Sequence, residues 1–297
     1  MRIGIHGRLY PAAAAHTVAH ILGRVVAAGA VPVVEVGLAT RMAEAGVPLT
    51  SDMHTMAAPA KEQLDLLISL GGDGSFLDSV AFVGGSGVPM LGINLGRLGF
   101  LSNTRIEDVD DTLKAVIQGR FTIVERGLLA MRGLEEFDGR TALNEVSLHK
   151  RDGATMIAIH AHLDGHFLNT YWADGLIIST PTGSTAYSLS CGGPIVAPDC
   201  DAMVVTPISP HNLNVRPFVV PWSSELTLTV DARSEKYLVN MDSRSRILDH
   251  KVELRVCRAE HRAKIVQLEG QAFLDTLRSK LGWGLDIRSA KPGFQQG

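Results

Sequence analysis

Cysteine is scarce in this chain: Cys191, Cys200 and Cys257 are the only three in 297 residues, odd in number, widely spaced and without a C-x-x-C pair. Neither a disulfide framework nor a structural zinc site is expected, and a reducing cytoplasm fits. An excess of one charge is missing too, since 28 Lys+Arg stand against 31 Asp+Glu for a net charge of −3 with no block of like sign. That excludes an obvious nucleic-acid or membrane surface and points to small polar partners. Long apolar runs are also lacking: the alanine-rich stretch 12–30 is interrupted by His16, His20 and Arg24, and the opening "MRIGIHG" reads as a strand. Neither an export signal nor a membrane span is expected. Two phosphate-binding signatures are absent as well, G-x-x-x-x-G-K-[ST] and G-x-G-x-x-G. Any nucleotide is therefore held by something other than a P-loop lysine, and a plain dehydrogenase reading loses most of its support.

What is present is enough apolar sequence for a core, 45% hydrophobic residues against 20% charged, over a length that suggests two domains or one large one. The first hundred residues alternate apolar runs with helical patterns: strand 2–6, helix 12–28 with Val18, Ile21, Leu22 and Val25 on one stripe, strand 31–36, strand 65–70, a short helix 76–83, and a strand ending at Asn94. This is the βαβ rhythm of a parallel sheet. From about residue 121 period-two runs take over, among them "TALNEVSLH", "TMIAIHAHL", "HFLNTYW", "ELTLTV" and "KYLVNM", which predict an antiparallel sandwich or barrel-like domain. Asp164-Gly165 carries a hairpin turn signal. One helix is expected at 183–190, and another at 271–281 with Phe273, Leu274, Leu277 and Leu281 at core spacing, packing back on the first domain.

Three stretches could carry chemistry. In "LISLGGDGSFLDS", residues 67–79, Gly71, Gly72 and Gly74 surround Asp73 at the end of an apolar strand, followed by Ser75. Glycines let a turn take positive φ and let a ligand touch the backbone, and amides at a helix start attract anions. A carboxylate among such donors is suited to a hydroxyl, a proton or a metal, though a simple turn aspartate has the same spelling. In "DGLIISTPTGSTAYSLSCGGPI", Asp174 to Ile195, six hydroxyls fall within Thr182–Ser190, more than the capping of one helix by Ser184 or Thr185 would need. In "TALNEVSLH", strand alternation puts Asn144 on the face of Ala142, Val146 and Leu148 and Glu145 on the opposite one, so Asn144 needs a polar partner, a ligand or a neighbouring loop. His160, His162 and His166 lie close enough in sequence for a metal site, but no acidic or cysteine partner stands at a matching spacing.

Taken together and in this order, these residues resemble the NAD kinase family. The resemblance is carried by "GGDGS" at 71–75, where the family usually ends in threonine, "LGINLGRLGFL" at 91–101, "LNEV" at 143–146, the long motif at 174–195, "TPISPHNLNVRPFVV" at 206–220 and "LRSKLGWG" at 277–284. The glycine-aspartate turn alone is shared with lipid kinases and phosphofructokinases, whereas the long motif is specific. The resemblance implies a Rossmann-like α/β nucleotide domain over 1–120, joined by 265–297, and a β-rich NAD-binding domain over 121–264, with NAD in the cleft and the protein a homodimer or homotetramer. It also implies transfer of the ATP γ-phosphoryl group to the 2′-hydroxyl of the adenosine ribose of NAD, with a divalent cation such as Mg2+. Asp73 would then be the proton acceptor, with Gly74, Asn144, Glu145, Asp174, Thr182 and the run Thr185, Ala186, Tyr187, Ser188, Leu189 and Ser190 around the dinucleotide. Gly71, Gly72 and Ser75 would line the ATP phosphates. Competing readings are a lipid or sugar kinase sharing the turn, or a non-catalytic NAD(P) sensor. The chain departs from the family pattern at Thr155, at Trp172, where a basic residue is frequent, and at Asp242-Ser243-Arg244, where the third residue is often glutamine.

Overall fold

The computed structural model describes residues 1–8, 14–51, 53–59, 63–96, 99–137, 139–151, 155–233, 236–250 and 252–282. Residues 12 and 13 of the first expected helix, Arg97 and Leu98, and Trp283 and Gly284 of the last matching segment lie outside them. The chain divides into two compact units, one of residues 1–76, 90–123 and 266–297, the other of 77–89 and 124–265.

The first unit is built on a parallel sheet. His54–Met56, Val31–Glu35, Arg2–Gly7, Leu66–Leu70 and Met90–Asn94 lie side by side in that order, all pairs parallel, and Ala263–Gln267 and Thr122–Arg126 continue the sheet. Leu66–Leu70 and Met90–Asn94 are buried at every residue, the mark of strands covered on both faces. Ala14–Ala27 forms a helix because Val18, Ile21, Leu22 and Val25 recur at helical spacing and bury against Ile3, Ile5 and Val34. The strand order reverses direction between Arg2–Gly7 and Leu66–Leu70, and open sheets of this kind bind ligands beyond the strand ends at that switch point. A Cβ on Gly7 would overlap the Leu70 carbonyl oxygen, so the two strand ends approach closely there.

Two helices of this unit escape the sequence pattern. Val36–Glu44 starts with β-branched valine where a strand was expected to continue; the Glu35 carboxylate starts the helix instead, accepting from Gly37 N and Leu38 N at 2.7 Å each. Val109–Ile117 buries Val109, Leu113 and Val116. The helix expected at 76–83 begins three residues earlier, at Asp73. Phe273–Leu281 is a helix, but only Leu277 of its four apolar positions is buried, while Leu274 and Leu281 are 57% and 41% exposed. Among the described residues no helix is long and apolar enough to cross a membrane.

The second unit is a β-sandwich of two six-stranded sheets. One runs Phe218–Pro221, Ala202–Ile208, Gly175–Ser179, Glu145–Lys150, Lys236–Met241, Arg244–Asp249. The other runs His166–Ala173, Ile157–Leu163, Leu226–Asp231, Leu254–Arg258, Leu129–Arg132, Thr141–Ala142. Their inner faces share one core, in which Val146, Leu148, Ile178, Val205 and Val239 meet Ile159, Leu228, Val230, Leu254 and Val256. The hairpin at Asp164-Gly165 has both residues at positive φ, 50° and 80°, as a two-residue turn of right twist requires. Ala202–Ile208 was not foreseen, because it is a continuous apolar run holding a proline. Pro207 is tolerated because the outer neighbour Phe218–Pro221 pairs only with residues 202–205, so no ladder bond is lost on that side.

Candidate active site

In the first unit the Gly71–Ser75 turn sits at the carboxyl end of Leu66–Leu70, and Asp73 opens the following helix. Gly71 is the glycine the turn requires: its φ is 129°, and a Cβ there would strike the Ser75 side chain. Gly72 and Gly74 are exposed and a Cβ on either would meet nothing, so they leave open space beside the carboxylate. Asp73 itself is clamped. Its Oδ2 accepts from Phe100 N at 2.8 Å, and its Oδ1 accepts from Leu101 N at 2.9 Å and Ser102 N at 3.0 Å. A carboxylate has about four lone-pair sites, so one is left for a ligand. The loop comes this close because Gly99 has no side chain; a Cβ there would overlap the Asp73 carboxylate.

In the second unit the expected residues gather around a break in a strand. The stretch 141–150 is not one strand but two, Thr141–Ala142 and Glu145–Lys150, so Asn144 lies in the break and shares no strand face with Val146 and Leu148. The break is held by Asp242, whose Oδ2 accepts from Leu143 N and whose Oδ1 accepts from Asn144 N and Glu145 N, at 2.8, 2.9 and 3.1 Å. Thr180 closes it from the other side, donating to Leu143 O at 2.6 Å and accepting from Gly183 N at 3.0 Å. Gly183 packs so tightly on the Asn144 carbonyl that no Cβ fits.

The helix expected at 183–190 is a 3-10 turn, Thr182–Thr185, and a single α-turn, Tyr187–Ser190, separated at Ala186 (φ −95°, ψ −128°). Neither has a side-chain cap. The abundance of hydroxyls has a partly structural explanation, which is not the helix capping by Ser184 or Thr185 that the sequence suggested. Ser184 is buried, donating to Pro181 O and accepting from Val196 N, and Ser188 is buried against Thr206 Oγ1 at 2.8 Å. Thr185 donates to Thr182 O at 3.3 Å. Thr182, Ala186 and Leu189 are half-buried, and Tyr187 and Ser190 are exposed.

Glu145, Tyr187, Cys191, Asp174 and His149 interact as one group. Tyr187 stacks on His149 with ring centroids 5.8 Å apart. Although the Tyr187 side chain is exposed as a whole, partial desolvation, with Cys191, Asp174 and Glu145 adding to it, raises its hydroxyl above the ordinary range, and burial lowers His149. Asp174 pairs with Lys150 Nζ at 2.6 Å, a contact the sequence did not reveal because only the pairing of His149 with Gly175 brings residues 24 apart together. Glu145 Oε2 is buried and has no hydrogen-bond partner among the described residues, a vacancy that suits a ligand hydroxyl or amide. Burial, and then the neighbouring Asp242 charge, push the Glu145 carboxyl from its ordinary 4.5 up to about 8.

That shift has a consequence for stability. Between pH 4.5 and about 8 the unfolded chain has released the Glu145 proton while the folded chain keeps it. The contribution of Glu145 to stability therefore falls as pH rises through this window, by at most about 1.4 kcal/mol per unit, and levels off above it. Glu145→Gln removes the titration, so its melting temperature is expected to gain on the wild type steadily from pH 5 to pH 8. A constant difference across that range would show that Glu145 does not titrate there.

Other candidates fall elsewhere. His160 is engaged by Thr170 Oγ1 at 3.0 Å and Asp231 Oδ2 at 3.2 Å, and His162 packs edge-on against Phe167. Among the described residues no group of three or more His, Cys, Asp or Glu is placed to hold a metal. Trp172 is 56% exposed and Thr155 is exposed. Arg244 turns inward, its guanidinium donating to the Thr141 and Met241 carbonyls.

Known proteins are similar to this chain in sequence and in fold. The ATP-NAD kinase N-terminal domain matches residues 24–121 and the ATP-NAD kinase C-terminal domain residues 143–268. An NAD kinase of Cytophaga hutchinsonii is 46% identical over 227 residues, 76% of this chain and 78% of that protein. One of Christiangramia forsetii is 38% identical over 295 residues, 97% of this chain and all of that protein (100%). Among solved structures, yeast NADH kinase complexed with NADH superposes with a TM-score of 0.84 at 25% identity, covering 98% of this chain and 90% of that one. An Archaeoglobus fulgidus NAD kinase in complex with ATP is alike in fold, with a TM-score of 0.75 at 22% identity over 95% of this chain and 99% of that one. On the two domain matches and these relatives, the chain belongs to the ATP-NAD kinase family.

Proposed function

We propose that this protein moves the γ-phosphoryl group of ATP to the 2′-hydroxyl of the adenosine ribose of NAD, with Asp73 receiving the hydroxyl proton. One observation carries the assignment: Asp73 is fixed by three backbone amides, with one lone pair remaining and two exposed glycines, Gly72 and Gly74, beside it. A phosphoryl-transfer transition state is loose and its nucleophile still largely protonated. Asp73 therefore orients the hydroxyl first and takes its proton late.

Gly71, Gly72 and Ser75 line the ATP phosphates in this reading. Gly74, Asn144, Glu145, Asp174, Thr182, Thr185, Ala186, Tyr187, Leu189 and Ser190 surround the dinucleotide, and Ser188, whose hydroxyl is spent on Thr206, contributes only its backbone. The α/β part, 1–120 with 265–297, serves the nucleotide, and 121–264 serves NAD. A divalent cation, Mg2+ for preference, would come with the ATP phosphates, since such an ion is usually held by one or two carboxylates plus substrate phosphates. Assembly as a homodimer or homotetramer in the cytoplasm is part of the same proposal, supported by the family resemblance.

The test is incubation with NAD, ATP and Mg2+, read by a dehydrogenase that accepts only NADP. NADP formation dependent on both substrates is expected. Tight NAD binding without NADP from ATP or polyphosphate would favour a sensor instead, and phosphorylation of a lipid or sugar but not NAD would favour the kinases that share the turn.

A further inference from the structure

The turn that follows Lys236–Met241 makes three separate grips. Asp242 sits at φ 50°, a left-handed conformation that a non-glycine residue adopts at a cost. Its side chain takes the three consecutive amides of Leu143, Asn144 and Glu145, while its own N–H donates to Glu145 O at 3.0 Å. Ser243 Oγ donates to Asp78 Oδ1 at 2.8 Å. Arg244 donates to Thr141 O, just before the break. The ladder between Glu145–Lys150 and Lys236–Met241 ends at the Val146–Met241 pair; beyond it one backbone bond remains, Asp242 N to Glu145 O, and the Asp242 carboxylate takes the three amides that follow.

A half-buried carboxylate is a costly way to hold a strand end, because the desolvation that raises the Asp242 carboxyl opposes its charge; a continued ladder would do so without that cost. What the carboxylate adds is direction. By gathering three successive amides it bends the chain at 143–145, so that the strand is interrupted at Asn144 and Glu145 begins the next one. We propose that Asp242 is the positioning residue of the dinucleotide pocket, setting the Asn144 and Glu145 side chains through their backbone amides, with Arg244 bracing the same break in place of making a ligand contact. The inference rests on reading Asn144 and Glu145 as dinucleotide contacts. Glu145 is faced by Asp242 from the turn, by Tyr187 from the Tyr187–Ser190 segment and by Cys191 just after it, so the charge of Asp242 also bears on its protonation.

The experiment compares full-length Asn144→Ala, Glu145→Gln, Asp242→Asn and Arg244→Gln by KM for NAD, KM for ATP, kcat, melting temperature and the pH dependence of KM for NAD. Asp242→Asn puts an amide NH2 against backbone N–H donors and removes a charge. It is expected to raise KM for NAD about tenfold or more, leave KM for ATP within about twofold, and move the pH midpoint of KM for NAD downward. If Asp242→Asn does not fold, Arg244→Gln, which keeps Asp242, is expected to raise KM for NAD about threefold with KM for ATP unchanged. Loss of melting temperature with wild-type KM and pH midpoint would make Asp242 merely structural and overturn the inference. Unchanged KM for NAD in both Asn144→Ala and Glu145→Gln would overturn the pocket reading itself, a separate failure.

Discussion

Asp73→Asn is expected to lower kcat by about 10²–10⁴-fold while KM for NAD stays within about threefold, since a positioned proton acceptor contributes about that much and little of it to ground-state binding. The geometry sharpens the reason. Asparagine has the same shape but one acceptor oxygen, and Phe100 N, Leu101 N and Ser102 N present three donors to the two oxygens of Asp73. Whichever way the amide is turned, its NH2 faces a backbone N–H, so the variant loses both the proton acceptor and part of the clamp. Initial rates at saturating ATP over a range of NAD, with NAD binding measured by calorimetry, separate the two effects. Turnover within about threefold of wild type would remove Asp73 from the chemistry.

Gly99→Ala is expected to do much the same damage without touching the aspartate. The added Cβ would occupy the space of the Asp73 carboxylate, which is the free end of a side chain and can rotate aside more readily than the backbone can yield. The fold should therefore survive, with a melting temperature close to wild type, while kcat falls by about 10²-fold or more because the carboxylate no longer points where the loop held it. Gly99→Ala combined with Asp73→Asn should then be hardly slower than Asp73→Asn alone, because the two changes disable one arrangement. Multiplicative losses in the double variant would mean that Gly99 acts by another route.

Much of the architecture was legible because it rests on side-chain periodicity. The stripe of Val18, Ile21, Leu22 and Val25 specifies a helix, the alternation of Leu226–Asp231 a half-buried strand, and Asp164-Gly165 the turn that joins two others. Val36–Glu44 was not legible because one carboxylate, Glu35, overrides a β-favouring start. Asn144 was misplaced for the same kind of reason: a single period-two strand over 141–149 puts it on the apolar face, yet a carboxylate from position 242 interrupts that strand. At the candidate site the residue types were readable and their partners were not. Asp73 was visible among its glycines, but its partners are main-chain amides, which leave no trace in the pattern of side chains. The hydroxyls of 182–190 were visible in the sequence, but the inward hydrogen bonds of Ser184 and Ser188 were not, because their partners lie up to 18 residues away.

The clamp on Asp73 also bears on how this protein can vary. Its three donors belong to the peptide backbone, which every residue except proline supplies equally. The hold on the carboxylate thus places few demands on the identity of Phe100 and Leu101 and a severe one on Gly99. Substitution and drift at the first two positions can leave the arrangement intact, so a site of this construction is recorded in the sequence by a missing side chain more than by the residues that form its bonds.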